Sequence, residues 1–252
     1  MALSLLETRA NWQLLLTCEH ASNAVPKALR GCFAGARTVL RTHRGYDIGA
    51  LAVAQRMAQA LHAPLFAGGI TRLLIDLNRS VQHRQLHSEF ADGLAPAVRA
   101  ELIEHWHTPF RIATGAALQR MVAVGPVLHL SVHSFTPVWH GHARNCEIGL
   151  LYDPKRNREQ QMARGLANAL RGPLLPSAQR AQRTAVAALR VRMNYPYRGD
   201  ADGHTTSLRK LFPDAQYVGI EIELNQALLR RATAQQSVAD QITRAVRQAV
   251  VQ

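Results

Sequence analysis

Two histidines of this 252-residue chain occupy positions that suggest metal chemistry. His20 and His133 each follow a run of apolar residues, so each ends a predicted central strand. Imidazole is the commonest nitrogen ligand for Zn²⁺, and a catalytic zinc takes three protein ligands and leaves one position for water. His20 and His133 are therefore candidate metal ligands, and one carboxylate would complete the set.

Three carboxylates lie near enough in the predicted fold to be that third ligand. Glu19 neighbours His20, but adjacent strand residues point to opposite faces, so both bind one ion only where the chain bends sharply. Asp47 opens a predicted helix, where capping of the first amides is an equally good role. Glu223 is the third candidate, and its position also suits proton transfer.

Glu223 belongs to the alternating segment GIEIELNQ. Glu221 and Glu223 point to one side of this predicted strand, and the apolar residues between them point to the other. One interpretation is an edge strand with a solvated face. The alternative is a buried carboxylate beside a metal site, where it would act as general base and then as general acid.

Two further segments carry groups that could hold an anionic substrate. In Asp76-Leu77-Asn78-Arg79, the arginine offers a planar fork for a carboxylate, and Asn78 supplies a neutral donor. Arg72 precedes the same segment as a second cation, and Asp76 could orient either arginine. The segment from Asn194 to Asp200, which contains two tyrosines and an arginine, is either a loop that closes over a substrate or a packed surface turn.

These residues must be positioned by alternating strands and helices. The pattern predicts a mostly parallel central sheet with helices on both faces, in one α/β domain over residues 1–252. In such sheets ligands bind outside the carboxyl ends of the strands, where the unusual polar residues fall. The predicted strands are 12–17, 72–77, 127–132, 147–152, 191–194 and 217–224, and the predicted helices are 47–61, 96–122, 158–170 and 234–251.

Composition excludes several classes of protein. The net charge of +13 suggests nucleic-acid binding, but no zinc-finger spacing or aromatic-basic motif accompanies it, which favours a solvated basic surface. No apolar run is long enough to cross a bilayer, and no secretory signal is visible. Three cysteines without a CxxC pair favour a reducing cytosol, and Cys18 beside His20 is a minor alternative as a nucleophile.

Taken together, the motifs resemble the N-formylglutamate amidohydrolase family. The resemblance spans most of the chain in family order, through CEHASNAVP, HRGYDIGA, RLLIDLNRS, SVHSFTP, IGLLYDP, NYPYRG and GIEIELNQ. It implies a phosphorylase/hydrolase-like fold, related to zinc carboxypeptidases, and an enzyme that hydrolyses a linear amide with Zn²⁺ or another divalent metal. The implied substrate is an N-acyl acidic amino acid such as N-formylglutamate.

The resemblance also implies roles for individual residues. His20, Asp47 and His133 would bind the metal, with Glu19 as the fallback for Asp47 because no His-x-x-Glu pair follows His20. Glu223 would be the general base, and an arginine would stabilise the tetrahedral oxyanion. That catalytic arginine is taken as Arg198, and the substrate-binding residues are taken as Arg72, Asn78, Arg79 and Asn194.

Two alternatives remain open at this point. One is a related metallohydrolase that acts on another N-acyl amino acid or a peptide-like amide, because one methyl group in a pocket changes specificity by only about 1–3 kcal/mol. The other is a basic nucleic-acid-binding protein that kept the fold without catalysis. The sequence leaves the acyl group and the oligomeric state undetermined.

Overall fold

The computed structural model describes residues 11–172 and 189–251, and a six-stranded sheet organises them. Its strands are β1 Gln13–Cys18, β2 Leu65–Ala67, β3 Val127–Phe135, β6 Ile148–Leu151, β7 Val191–Met193 and β8 Tyr217–Asn225. Their order in the sheet is β2-β1-β3-β8-β6-β7, and strands β1, β2, β3 and β8 run parallel. Strand β6 is antiparallel to β8 and parallel to β7, so the predicted mostly parallel sheet is confirmed. A separate two-stranded hairpin is formed by β4 Val138–Trp139 and β5 His142–Ala143.

Helices cover both faces of this sheet, as the alternating pattern predicts. They are α1 Ala50–Leu61, α2 Pro96–Leu102, α3 Thr108–Val122, α4 Asn157–Arg171, α5 His204–Arg209 and α6 Ala232–Ala249. The predicted helix 96–122 is interrupted by a π-helical turn, Ile103–His107, between α2 and α3. Short 3₁₀ helices connect the remaining segments at Lys27–Phe33, Arg37–Arg41, Glu89–Ala91 and Gln226–Leu229.

The larger apolar core lies between one face of the sheet and helices α1, α4 and α6. Successive strand residues alternate between faces, so Leu128, Leu130 and Val132 of β3 all enter this core. Strand β8 contributes Val218, Ile220, Ile222 and Leu224 from the same face. Burial of this continuous apolar surface is the main stabilising contribution to the fold.

The opposite face is apolar only near the amino ends of its strands. There Leu15, Val127 and Tyr217 pack with Leu118 of α3 and Leu208 of α5. Towards the carboxyl ends the same face becomes polar, and these rows lead into the candidate site.

One predicted strand is wrong, and several short elements are additional. Residues 72–77 form turns, because the amides of Leu74 and Ile75 bond to the Thr71 carbonyl and that of Asp76 bonds to Leu86. Their apolar side chains fill a small second core with Phe33, so a buried apolar run was mistaken for a strand. Strand β2, helix α5 and the β4–β5 hairpin were not predicted. Among the helices of the described residues, none has the length and hydrophobicity of a transmembrane span.

Candidate active site

The structure brings His20, Asp47 and His133 together at the carboxyl end of the sheet. One potential ligand atom from each residue lies within 4.8 Å of the other two. His20 follows β1, His133 lies near the end of β3, and Asp47 lies in the loop before α1. All three side chains are buried, with exposed fractions of 2–3%. A possible metal-binding triad is therefore present where the sequence predicts it.

Asp47 joins the two histidines through one oxygen. His133 Nδ1 lies 3.0 Å from Asp47 Oδ2, and His20 Nδ1 lies 3.5 Å from the same atom. The backbone amide of Ser134 also donates to Oδ2, at 3.1 Å, and the Asp47 amide donates to the His20 carbonyl. The predicted capping role for Asp47 is wrong, because Gly49 is the N-cap of α1 and no side chain bonds there.

The outer nitrogens of both histidines are held by acidic or hydroxyl groups. His20 Nε2 lies 2.6 Å from Asp76 Oδ1. His133 Nε2 lies 2.9 Å from Ser131 Oγ and 3.3 Å from Glu19 Oε2. Carboxylates behind metal-binding histidines fix the ring orientation and raise the basicity of the other nitrogen. Glu19, the fallback ligand, thus lies at the opposite ring nitrogen of His133 from Asp47.

Glu19 is also held in place by hydrogen bonds with Ser131 and His204. Ser131 Oγ donates to its Oε2 at 2.7 Å, and His204 Nδ1 lies 2.9 Å from its Oε1. Burial would raise the pKa of Glu19, but the hydrogen bonds with His133 and His204 outweigh burial and lower the pKa well below its usual range. Glu19 is therefore an ionised carboxylate that holds the Nε2 side of the His133 ring.

The charges of the triad are tightly interdependent. Burial would raise the pKa of Asp47, but the positive charge of His20 and the hydrogen bond with His133 lower that pKa well below normal. Burial would lower the pKa of His133, but its bonds to Asp47 and Glu19 raise that pKa well above normal. A divalent cation would replace the positive charge that the protonated histidines provide, because metal binding requires neutral imidazole.

Two buried atoms of the triad have no hydrogen-bond partner. These atoms are His20 Nδ1 and Asp47 Oδ1. Unpaired buried polar atoms cost free energy, and a bound ion is one way in which proteins satisfy them. Two imidazoles and a carboxylate are also the ligand set of many catalytic zinc sites. The residues present therefore fit a divalent metal.

Glu223 lies directly beside the triad. Its Cα pairs with that of His133 across strands β8 and β3, so both side chains leave the same face of the sheet. It is 5% exposed and its Oε2 has no hydrogen-bond partner. Burial is the largest cause that raises its pKa to about 7, and the negative charge of Asp47 adds to the effect. Because β8 lies between β3 and β6, the alternative of an exposed edge strand is wrong.

The residues of the DLNR segment and its neighbours have defined partners. Arg72 lies 2.9 Å from Asp76 Oδ2 and 3.5 Å from Asp47 Oδ1, with a quarter of its side chain exposed. Arg79 donates to the Asp202 carbonyl, and Asn78 Oδ1 accepts from the His204 amide. Asp76 thus orients Arg72, as one predicted alternative has it, and also holds His20.

The loop that contains Asn194 and Arg198 is organised by its own contacts. Asn194 Oδ1 accepts from the amides of Tyr152 and Gly199, at 3.0 and 3.1 Å, so this oxygen is used to shape the loop. Arg198 is 78% exposed in its side chain and forms an ion pair with Asp200. Within residues 11–172 and 189–251, neither makes a hydrogen bond or ion pair with the triad.

Two residues that hold the site, Ser131 and His204, were not predicted from the sequence, and the alternative of Cys18 as a nucleophile is wrong. Ser131 has a visible signal, because it precedes His133 by two residues and so shares its strand face. His204 has no local signal, since only the fold brings it to Glu19. Cys18 is wrong as a nucleophile: it is fully buried on the apolar face, and burial raises the pKa of its thiol well above normal.

Comparison with known proteins assigns the family. The profile of the N-formylglutamate amidohydrolase family matches residues 12–230. The chain belongs to this family. The match covers the triad, Glu223 and every candidate site residue named above.

Two solved structures share the fold. A gene product of Agrobacterium tumefaciens is 28% identical with a TM-score of 0.78, over 95% of this chain and 91% of that one. The N-formylglutamate amidohydrolase of Ralstonia eutropha is 16% identical with a TM-score of 0.64, over 94% and 92% of the two chains. No curated protein matches the chain. Membership of the family supports amide hydrolysis of a small-molecule substrate.

Proposed function

We propose that this protein is a divalent-metal-dependent amidohydrolase that releases the acyl group from an N-acyl acidic amino acid, with N-formylglutamate as the leading substrate. The observation that supports it best is the buried triad of His20, Asp47 and His133 beside the partnerless carboxylate of Glu223. The family and the name of the Ralstonia relative support the reaction class and the substrate.

In this proposal the triad holds the metal, and Zn²⁺ is the best candidate for its nitrogen-rich ligand set. A metal bound there would supply Lewis-acid polarisation of the acyl carbonyl and would acidify water. The chain itself fixes the ligands, because Asp76 orients His20 and Glu19 with Ser131 orients His133. One potential ligand atom of each triad residue therefore lies within 4.8 Å of the other two before any ion binds.

Glu223 is the proposed general base and general acid. Its pKa of about 7 suits both roles near neutral pH, because catalysis is most efficient when the pKa lies close to the working pH. The carboxylate accepts a proton from the attacking water and then delivers it to the nitrogen of the leaving amine. Its free Oε2 is available for that proton.

Arg72 is the proposed partner of the substrate's α-carboxylate. It lies beside Asp47, keeps a quarter of its side chain exposed, and is held by Asp76. Asn78 and Arg79 remain proposed substrate-binding residues of the adjacent turn. Arg198 and Asn194 also remain proposed site residues, although Asn194 Oδ1 accepts from the Tyr152 and Gly199 amides and Arg198 is paired with Asp200.

The decisive experiment compares the wild-type protein with Glu223→Gln. Both are loaded with Zn²⁺, analysed for bound metal, and assayed for amine release from N-formylglutamate. We expect the variant to keep one zinc per chain and to lose at least about a thousandfold in kcat, since acid–base catalysis contributes 10²–10⁴-fold. Glu221→Gln is the matched control, because Glu221 lies on the same strand face but bonds to Thr205. Equal kcat in wild type and Glu223→Gln would reject the role of Glu223.

The pH dependence gives a second test of the same assignment. Glu223 must be ionised to accept a proton, so kcat/KM should rise about tenfold per pH unit on the acidic side of its pKa. The midpoint should lie near 7, or lower where the metal's charge favours the ionised form. A profile that is flat from pH 5 to 8 would contradict this prediction.

A further inference from the structure

An arginine near the proposed site is surrounded by aromatic rings instead of carboxylates. The guanidinium carbon of Arg144 lies 5.0 Å from the centre of the Trp139 ring, 5.2 Å from that of Tyr197 and 5.6 Å from that of Phe135. Arg144 also donates to the Tyr197 hydroxyl at 3.2 Å. In the described part of the chain no carboxylate forms an ion pair with it, so its positive charge is not neutralised.

The local fold holds this arginine in place. Strands β4 and β5 form a hairpin whose two turn residues, His140 and Gly141, both have positive φ, of 47° and 79°. Such turns connect antiparallel strands tightly. The hairpin pairs Trp139 with His142, and Arg144, two residues after His142, extends over the Trp139 ring. The backbone amide of Arg144 donates to the Pro137 carbonyl, and this hydrogen bond closes the base of the hairpin.

The aromatic rings around Arg144 connect to the triad by two routes through neighbouring residues. Phe135 follows His133 by two residues on β3, so it lies about 7 Å further along the same strand face. A second route leads from Trp139 to the ring of His43, whose Nδ1 lies 3.4 Å from the side-chain nitrogen of Gln226. Gln226 donates to Ser134, whose amide bonds to Asp47. The aromatic cluster thus borders the site.

Charge balance distinguishes Arg144 from the other candidate arginines. Arg72 is paired with Asp76, and Arg198 is paired with Asp200. Arg79 lies 4.0 Å from Asp76 and donates to a backbone carbonyl. Aromatic faces hold a guanidinium without using its outward-facing donors for a carboxylate. Arg144 therefore has the charge and the geometry to accept an anion.

We propose that Arg144 binds the side-chain carboxylate of the acyl amino acid and so selects acidic over neutral substrates. This inference rests on the proposed function and adds the residue that determines specificity. In an N-acyl glutamate the α-carboxylate lies next to the amide, within reach of Arg72 beside Asp47. The side-chain carboxylate extends about 6 Å from the reacting carbon in covalent geometry, towards the row of Phe135.

The test compares N-formylglutamate with its neutral isostere N-formylglutamine. In the zinc-loaded wild type we expect a strong preference for the glutamate compound. Arg144→Gln should lower kcat/KM for N-formylglutamate by roughly 30-fold or more, mainly through KM, because a charge-assisted bidentate contact is lost. The loss for N-formylglutamine should be at least tenfold smaller, and Arg144→Lys should recover part of the preference.

Arg158→Gln is the matched control variant. Arg158 stacks on the Trp12 ring at 5.3 Å, at the amino end of β1 and far from the triad. This change should leave the preference for N-formylglutamate intact. If Arg144→Gln lowered kcat/KM equally for both substrates, the proposed selection by Arg144 would be overturned while the amidohydrolase function stood.

A binding measurement separates this inference from the proposed function. Trp139 is half-exposed and contacts Arg144, so its fluorescence should respond when glutarate binds to the wild-type protein. The response should disappear in Trp139→Phe, and Arg144→Gln should weaken glutarate binding at least tenfold. If the wild type hydrolysed neither substrate, the proposed function would fail, and this titration would still decide for or against Arg144. Equal glutarate affinity in wild type and Arg144→Gln would overturn the inference.

Discussion

The two faces of strands β3 and β8 are built from alternate residues of the same segments, yet they serve different ends. On one face Leu130, Val132 and Ile222 are buried against helices α1, α4 and α6. On the other face Ser131, His133 and Glu223 are equally buried but are polar or ionisable. The alternation of side chains in these strands therefore places the stabilising apolar core on one side of the sheet and the candidate site on the other.

The polar face itself changes along the strands. Near the amino ends it is apolar, with Leu15, Val127 and Tyr217 in a packed cluster. Towards the carboxyl ends come rows that pair Ser131 with Glu221 and then His133 with Glu223. Burying such groups is costly unless they are hydrogen-bonded. The free-energy cost of burying polar groups therefore increases towards the carboxyl ends of the strands, and this is where we expect a ligand to bind.

His129 and His133 show this change within one strand face. His129 is bonded to Thr17 and Tyr217, at 2.8 Å each, and burial lowers its pKa to about 3, so it is neutral at pH 7. His133 lies between two carboxylates, and its pKa is raised well above normal. The first histidine completes a satisfied polar core, whereas the second compensates negative charges that a metal ion would also compensate.

The largest expected effect comes from replacing each of these histidines by glutamine. His133→Gln removes a proposed ligand, so we expect less than about one tenth of the wild-type zinc content and at least a thousandfold lower kcat. His129→Gln removes or weakens buried hydrogen bonds, each of which contributes about 1 kcal/mol, and should lower Tm by several degrees. Elemental analysis and thermal unfolding measure both variants.

The outcome that would contradict the comparison is a reversal of these effects. If His129→Gln lost zinc while His133→Gln retained it, the metal would lie nearer to the amino ends of the strands than the proposed triad does. Equal zinc retention in both variants would remove His133 from the ligand set.

On the apolar face, Leu130→Ala should affect stability and spare the metal. Leu130 is fully buried, so its truncation should lower the free energy of unfolding by about 2–5 kcal/mol through lost burial and a cavity. Its neighbour Ser131 faces the triad, but the Leu130 side chain points away from it. Urea unfolding and zinc titration of the folded variant check both parts, and an unchanged free energy of unfolding would show that the core had rearranged.

Much of the fold could be predicted from the sequence because hydrophobic patterning dominates it. Strand β8 alternates strictly, and β1 and β3 contain short apolar runs, so all three were predicted. The bounds of β1 and β8 were correct to within one residue, whereas β3 continues three residues beyond its predicted end. Residues 72–77 were mistaken for a strand because an apolar run does not reveal whether its backbone bonds go to a neighbouring strand or to nearby turns. The short hairpin β4–β5 lacks any apolar alternation that would predict it.

The two histidines of the candidate site were predictable from their positions at strand ends, whereas the choice of Asp47 came from the family resemblance. His20, Asp47 and His133 meet, as the prediction requires. The supporting contacts were less accessible, because Asp76 reaches His20 across 56 residues and His204 reaches Glu19 across 185. Such contacts depend on how loops pack, for which the sequence carries no local signal. Arg144 was missed for the same reason.

The smallest expected effect sharpens the distinction between the triad and the residues that support it. Asp76 accepts from His20 Nε2 and Arg72, and although burial would raise its pKa, these cations lower the pKa well below normal. Asp76→Asn keeps an oxygen that can accept the His20 proton but removes the charge that makes the ring a stronger ligand. We expect zinc affinity to fall 10–100-fold with the fold intact, as for other carboxylates behind metal-bound histidines.

The control for this change is Asp200→Asn, which also breaks an aspartate–arginine pair, but at the surface with Arg198. Competition with a chromophoric zinc chelator measures both affinities. Equal affinities in the two variants would mean that Asp76 acts only on Arg72. A loss of zinc affinity confined to Asp76→Asn would show that a residue of the turn at 72–77, outside the sheet that carries His133, also contributes to metal binding.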